Sequence, residues 1–81
     1  MKLFDVGFGN MVNMSRVICV VSPDSSPVRR LIQDAKNINR VIDITYGKKT
    51  RSVIITDSEH FILSAEEVST LNGRMSGGEK A

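Results

Sequence analysis

Cysteine, histidine and tryptophan are almost missing from this chain of 81 residues, which has one Cys, one His and no Trp. A lone Cys19 cannot close an intrachain disulfide, and with the single His60 it cannot make up a four-ligand structural zinc site. Stability therefore has to come from packing and assembly. Aromatic residues are scarce at 5%, leaving few platforms on which the bases of single-stranded RNA could stack. No apolar run is longer than Val17–Val21, far short of the roughly 20 residues that span a bilayer, so a transmembrane helix is excluded. The opening Met1-Lys2-Leu3-Phe4-Asp5 puts an acid at its fifth residue, with two glycines soon after. No secretory core fits there, and a cytoplasmic location is expected. What is present, 41% hydrophobic and 25% charged residues, suffices for one small domain, which we place at residues 1–75 with a flexible tail over 76–81.

The formal net charge of +2 hides an uneven distribution. Residues 1–56 carry nine Lys and Arg against four Asp, a net +5, whereas residues 57–81 carry two against five Asp and Glu, a net −3. A basic body with an acidic end is a pattern of nucleic-acid binders, and also of an ordinary mixed-charge surface.

The pattern predicts a small α/β fold of the α+β type: a mostly antiparallel sheet, one main helix and a short C-terminal helix. Leu3, Phe4, Val6 and Phe8 form a strand that turns at Gly7-Phe8-Gly9-Asn10, with residues 11–14 pairing back. Val17–Val21 is apolar at every position and reads as a central strand buried on both faces. Ser26 before Pro27 predicts a helix N-cap, and Val28, Leu31, Ile32, Ala35 and Ile38 give the helix one apolar stripe, ended by Asn39. Residues 41–46, 51–56 and 61–64 read as an antiparallel meander with Tyr46 facing Arg51, Ile44 facing Val53, Ile42 facing Ile55 and Ile55 facing Ile62. Ser64 is the expected cap of a closing helix through Glu66, Glu67, Val68 and Leu71. One helix covers one sheet face, so the second apolar face predicts a homo-oligomer.

No arrangement of residues predicts catalysis, a metal or a cofactor. Gly7-Phe8-Gly9 lacks the third glycine and the following helix of a dinucleotide fingerprint. Asp57-Ser58-Glu59-His60 are four consecutive residues of a turn, which cannot set a base against its own nucleophile. Cys19, inside an apolar strand, is expected to be inert packing. Tyr46-Gly47-Lys48-Lys49-Thr50-Arg51 is different: three cations, a hydroxyl and an aromatic share one tip, a composition suited to phosphate. Such a tip can also serve as solvated charge that protects a sheet edge.

Gly7-Phe8-Gly9-Asn10, Ser22-Pro23-Asp24-Ser25-Ser26-Pro27 leading to Arg30, Ile32-Gln33-Asp34-Ala35, Ile42-Asp43-Ile44-Thr45-Tyr46-Gly47-Lys48-Lys49-Thr50-Arg51, Asp57-Ser58-Glu59-His60 and Ile62-Leu63-Ser64 follow one another in this order. Over residues 2–65 they resemble the RemA family of bacterial DNA-binding regulators. The resemblance implies a homo-oligomeric ring that binds double-stranded DNA through basic loops and activates biofilm-matrix genes. It maps the family's DNA contacts onto Arg16 and onto Lys48 and Lys49, with Arg51 alongside. The hairpin pair is commonly Arg-Arg in the family and is Lys-Lys here, which keeps the charge but loses the planar fork and favours phosphate over base contact. Met11-Val12-Asn13-Met14 also departs from the family pattern. The expected function is a non-enzymatic, ring-forming, double-stranded DNA-binding transcriptional regulator that bends or wraps DNA. The alternative is a structural ring or adaptor that binds a protein partner.

Overall fold

In a computed structural model, residues 2–76 are described; the tail expected over 76–81 lies, from residue 77 on, outside them. Leu3–Asp5 (β1) and Met11–Asn13 (β2) pair antiparallel, with Phe4 opposite Val12, around the turn at 7–10. A single 3-10 turn, Met14–Arg16, leads into Val17–Val21 (β3). Helix α1 (Ser26–Asn37) follows, and then Val41–Asp43 (β4), Ser52–Thr56 (β5), Phe61–Ser64 (β6) and helix α2 (Val68–Met75).

Helix α1 starts one residue earlier than expected: Ser25 is the cap, its Oγ accepting from the Val28 N–H, and Pro27 sits at the second helical position. Its end is fixed by Asn39 at φ 60°. The Asn39 and Arg40 N–H groups donate to the Lys36 and Ala35 carbonyls, the paired bonds of a Schellman motif.

The four-stranded sheet has the order β3-β5-β6-β4, and the expected meander does not form. β4 runs parallel to β6, with Ile42 beside Ile62, and has no contact register with β5. The chain between them crosses the end of β6 instead: the Ile44 N–H donates to the Leu63 carbonyl and the Arg51 N–H to the Ser64 carbonyl. The physical reason is burial. Ile62, Leu63 and Ser64 are all buried, and placing β4 on the outer side of β6 keeps both β5 and β6 in the interior of the sheet, with β3 and β4 at its edges.

The β5–β6 register is shifted by one residue from that expected, with Ile55 opposite Phe61, Ile54 opposite Ile62 and Val53 opposite Leu63. Val53, Ile55, Phe61 and Leu63 therefore share the face toward α1, and Ile54 and Ile62 share the other. On that second face Phe4, Val6 and Leu71 complete a core, so the β1–β2 hairpin and α2 close it.

β3 is an edge strand, contrary to the expected central one. It pairs only with β5 among the described strands and carries a bulge between Val17 and Cys19. Ile18 is left 65% exposed and Cys19 half-buried. An apolar β-branched run signals a strand but does not say whether one or two neighbours flank it.

Ser64 ends β6 rather than capping α2. Its hydroxyl donates to the Val6 carbonyl and accepts from the Glu66 N–H. Glu67 takes the cap position without a side-chain cap bond.

Candidate nucleic-acid interface

The four expected contact residues fall at two places. Arg16 precedes β3, and its carbonyl accepts from the Asp57 N–H at the far end of β5. Lys48, Lys49 and Arg51 precede the start of β5, in the crossing between β4 and β5 rather than at a hairpin tip. The length of β5, roughly 17 Å at about 3.4 Å per residue, separates the two groups.

They also differ in charge state of their surroundings. Arg16 Nε bonds Asp57 Oδ1 at 2.8 Å and Arg51 Nη1 bonds Glu67 Oε2 at 2.8 Å, both pairs well exposed to solvent. Lys48 and Lys49 are exposed, and no carboxylate of the described residues lies within salt-bridge distance of either. Exposed ion pairs contribute little to stability, about 0–1 kcal/mol, so a phosphate could displace Asp57 or Glu67 at small cost. The lysines need no such exchange. Lys49, Thr50 and Arg51 line an open polar cavity of about 220 Å³ with Ser22 and Ser69, and with Asp24 and Glu67 at its acidic side.

Two turns with one plan stand beside the lysines. In Asp5-Val6-Gly7-Phe8-Gly9-Asn10, Asp5 Oδ1 accepts from the Gly7 N–H and the Gly7 carbonyl accepts from the Asn10 N–H. In Asp43-Ile44-Thr45-Tyr46-Gly47-Lys48, Asp43 Oδ1 accepts from the Thr45 N–H and the Thr45 carbonyl accepts from the Lys48 N–H. Bonds from the Thr45 hydroxyl first, and then from its N–H, hold the Asp43 carboxyl below its ordinary pKa, with Lys36 adding a smaller pull. Each turn has an aromatic at its first central position, Phe8 at φ 54° and Tyr46 at φ 53°, followed by a glycine at positive φ. Both central residues at positive φ are the mark of a type I′ turn, whose usual occupants are Asn, Asp and Gly. A bulky side chain there costs on the order of 1–2 kcal/mol. The two rings meet edge to face, with centroids 4.7 Å apart, yet Phe8 stays 51% and Tyr46 69% exposed. Sequence reasoning treated the two turns separately; the repeat of acid, β-branched residue, small residue, aromatic, glycine and polar residue was the signal that links them.

The remaining polar groups serve the fold. His60 Nδ1 shares a hydrogen bond with Ser58 Oγ, which meets Thr56 Oγ1 at 2.9 Å, closing the 57–60 turn on itself. Among the described residues no three of His, Cys, Asp and Glu come together as a metal would need, and no helix is long and apolar enough to cross a membrane. Across the sheet from the core, Ile18, Leu31, Ala35, Ile38, Ile55 and Phe61 line an apolar groove of about 310 Å³.

A family model described as RemA-like, extracellular matrix regulatory protein A-like, matches residues 3–75. A protein of Dictyoglomus turgidum named "Putative regulatory protein" is 51% identical over 80 residues, covering 99% of this chain and 94% of its own length. Similarly named proteins of Brevibacillus brevis and Geobacillus thermodenitrificans are 53% and 48% identical, covering 91% and 98% of this chain and 86% and 91% of their own lengths. The family and these names indicate a regulatory protein rather than an enzyme.

Proposed function

The chain belongs to the RemA-like family, and from that premise we propose that it is a double-stranded DNA-binding transcriptional regulator acting on genes of the extracellular matrix, working as a homo-oligomeric ring inside the cell. The observation that carries the reading is the fixed turn that presents Lys48 and Lys49 to solvent with no carboxylate in salt-bridge reach. Unpaired lysines on an ordered backbone are point charges ready for phosphate, and they lose no internal bond on binding. Arg51 and Arg16 join them by exchanging Glu67 and Asp57 for phosphate oxygens.

The separation of Arg16 from the lysines within one copy gives the ring a role. A head-to-tail arrangement brings the Arg16 end of one copy toward the 48–51 loop of the next, so that DNA meets both basic groups on one rim. The repetition turns a few phosphate contacts per copy into avidity. The apolar groove between α1 and the sheet is the surface that a neighbouring copy covers. DNA that follows a curved basic rim is bent or wrapped, and no helix needs to enter a groove.

A mobility-shift titration across a salt series tests this. Duplex affinity should fall with a log–log slope of about −0.9 per phosphate contact engaged. Lys48→Ala with Lys49→Ala should weaken all duplexes alike and flatten that slope while the assembly persists. The groove also favours the adaptor reading, in which it holds a different protein. Undiminished duplex affinity in an intact assembly of the double-alanine variant would move the DNA contact away from Lys48 and Lys49, and a parent chain that binds no duplex at any salt would put the adaptor reading in place of this one.

A further inference from the structure

We propose that the paired rings of Phe8 and Tyr46 are a second element of the DNA contact, entering the minor groove and prising apart a base step while Lys48 and Lys49 hold the flanking phosphates. The inference rests on the DNA-binding reading above and adds an apolar contact to a site otherwise built from charge.

Both turns could be made without strain by Asn-Gly, the preferred type I′ pair. The chain instead places its two exposed aromatics at φ 54° and 53°, each more than half exposed. Their edge-to-face contact is the only ring pair among the described residues and recovers part of the cost at most. Strain and apolar exposure that the fold does not recover point to a partner. Each ring touches the other through one edge or face, so the outward surface of the pair stays open. The chemistry beside it names the partner: Tyr46, Gly47 and Lys48 belong to one turn that Lys49 follows directly, the acids of the two turns, Asp5 and Asp43, have oxygens engaged within those turns, and Glu66, packed against Gly7, pairs with Arg74. An apolar wedge flanked by unpaired cations fits a polyanion with an apolar interior. The minor groove of B-DNA, about 6 Å wide, admits side chains of this size, and inserted apolar residues kink the duplex there.

The test replaces both aromatics with the residue that the turns prefer. Phe8→Asn with Tyr46→Asn should keep the melting temperature within a few degrees of the parent and leave the DNA-free assembly unchanged. Affinity for duplex DNA should fall about tenfold or more, and DNA bending, read by fluorescence transfer between labelled duplex ends, should be lost. The salt slope should stay as in the parent because the lysines remain. Tyr46→Phe should retain both affinity and bending. If the parent binds duplex and the double-Asn variant binds and bends it equally, the aromatic contact is wrong and the electrostatic reading survives. If the double-Asn variant comes apart without DNA, the rings belong to a contact between copies and the proposal falls. A parent chain that binds no duplex at any salt overturns the underlying reading, and this one with it.

Discussion

On one face of the four-stranded sheet Ile54 and Ile62 meet Phe4, Val6 and Leu71 with almost no solvent access, whereas on the other α1 leaves Leu31 47% and Ile38 62% exposed beside Ile18 and Phe61. The first face is closed by two separate pieces of chain, the β1–β2 hairpin and α2. The second has one helix of 12 residues, in which Ala35 is buried while Leu31 and Ile38 on either side of it stay exposed. An 81-residue chain can finish one face of a sheet and roof the other in part. The difference separates residues that hold the single chain together from apolar residues that the single chain leaves exposed.

That separation can be broken most directly from the closed side. Ile54→Ala leaves a cavity where no solvent reaches, and should cost about 2–5 kcal/mol in chemical unfolding. Ser64→Ala should come next, at about 1–3 kcal/mol, because it leaves the buried Val6 carbonyl without its hydroxyl donor. On the open side the double change Leu31→Ser and Ile38→Ser should cost less than about 1 kcal/mol in the same assay, while sedimentation shows the assembly dissociated. A loss on the open side as large as that of Ile54→Ala would mean that the groove is core after all.

The smallest expected effect sharpens the comparison at β4. Asp43 ionises more readily in the folded chain than in the unfolded one. Its contribution is therefore present at neutral pH and is lost as pH falls below about 4 through the folded value. The gap in melting temperature between the parent and Asp43→Asn should accordingly narrow on acidification.

The parts of the fold written in local chemistry were legible in the sequence. The serine-proline start of α1, its stripe, the stop at Asn39 and the β1–β2 turn all come from residues whose backbone preferences act within a few positions. Strand partnership was not legible in the same way. Period two places Ile42 and Asp43 on opposite faces, but it says nothing of whether Val53 or Leu63 lies alongside, and the burial of β6 decided that. Val17–Val21 likewise could not announce itself as an edge. Of the proposed contact residues, the 48–51 cluster was visible as charge on a turn. Arg16 carries no local signal and was named only through family resemblance. Tyr46 was visible as the aromatic of the basic tip and Phe8 as part of the first strand and its turn, but only their meeting in space exposes them as a pair.

The parallel pairing of β4 with β6 also orders events in time. β5 and β6 are joined by four residues and can zip together as soon as both exist, the cheapest closure in the sheet. β4 is made earlier by the ribosome, yet its one strand neighbour among the described residues emerges after the chain has passed through β5 and reversed at 57–60. Until Phe61 is available, β4 and the helix before it have no ladder to dock on. The return of an early segment to a late one is then the expected slow step of folding, and changes in the 57–60 turn should alter the folding rate more than the unfolding rate in stopped-flow refolding.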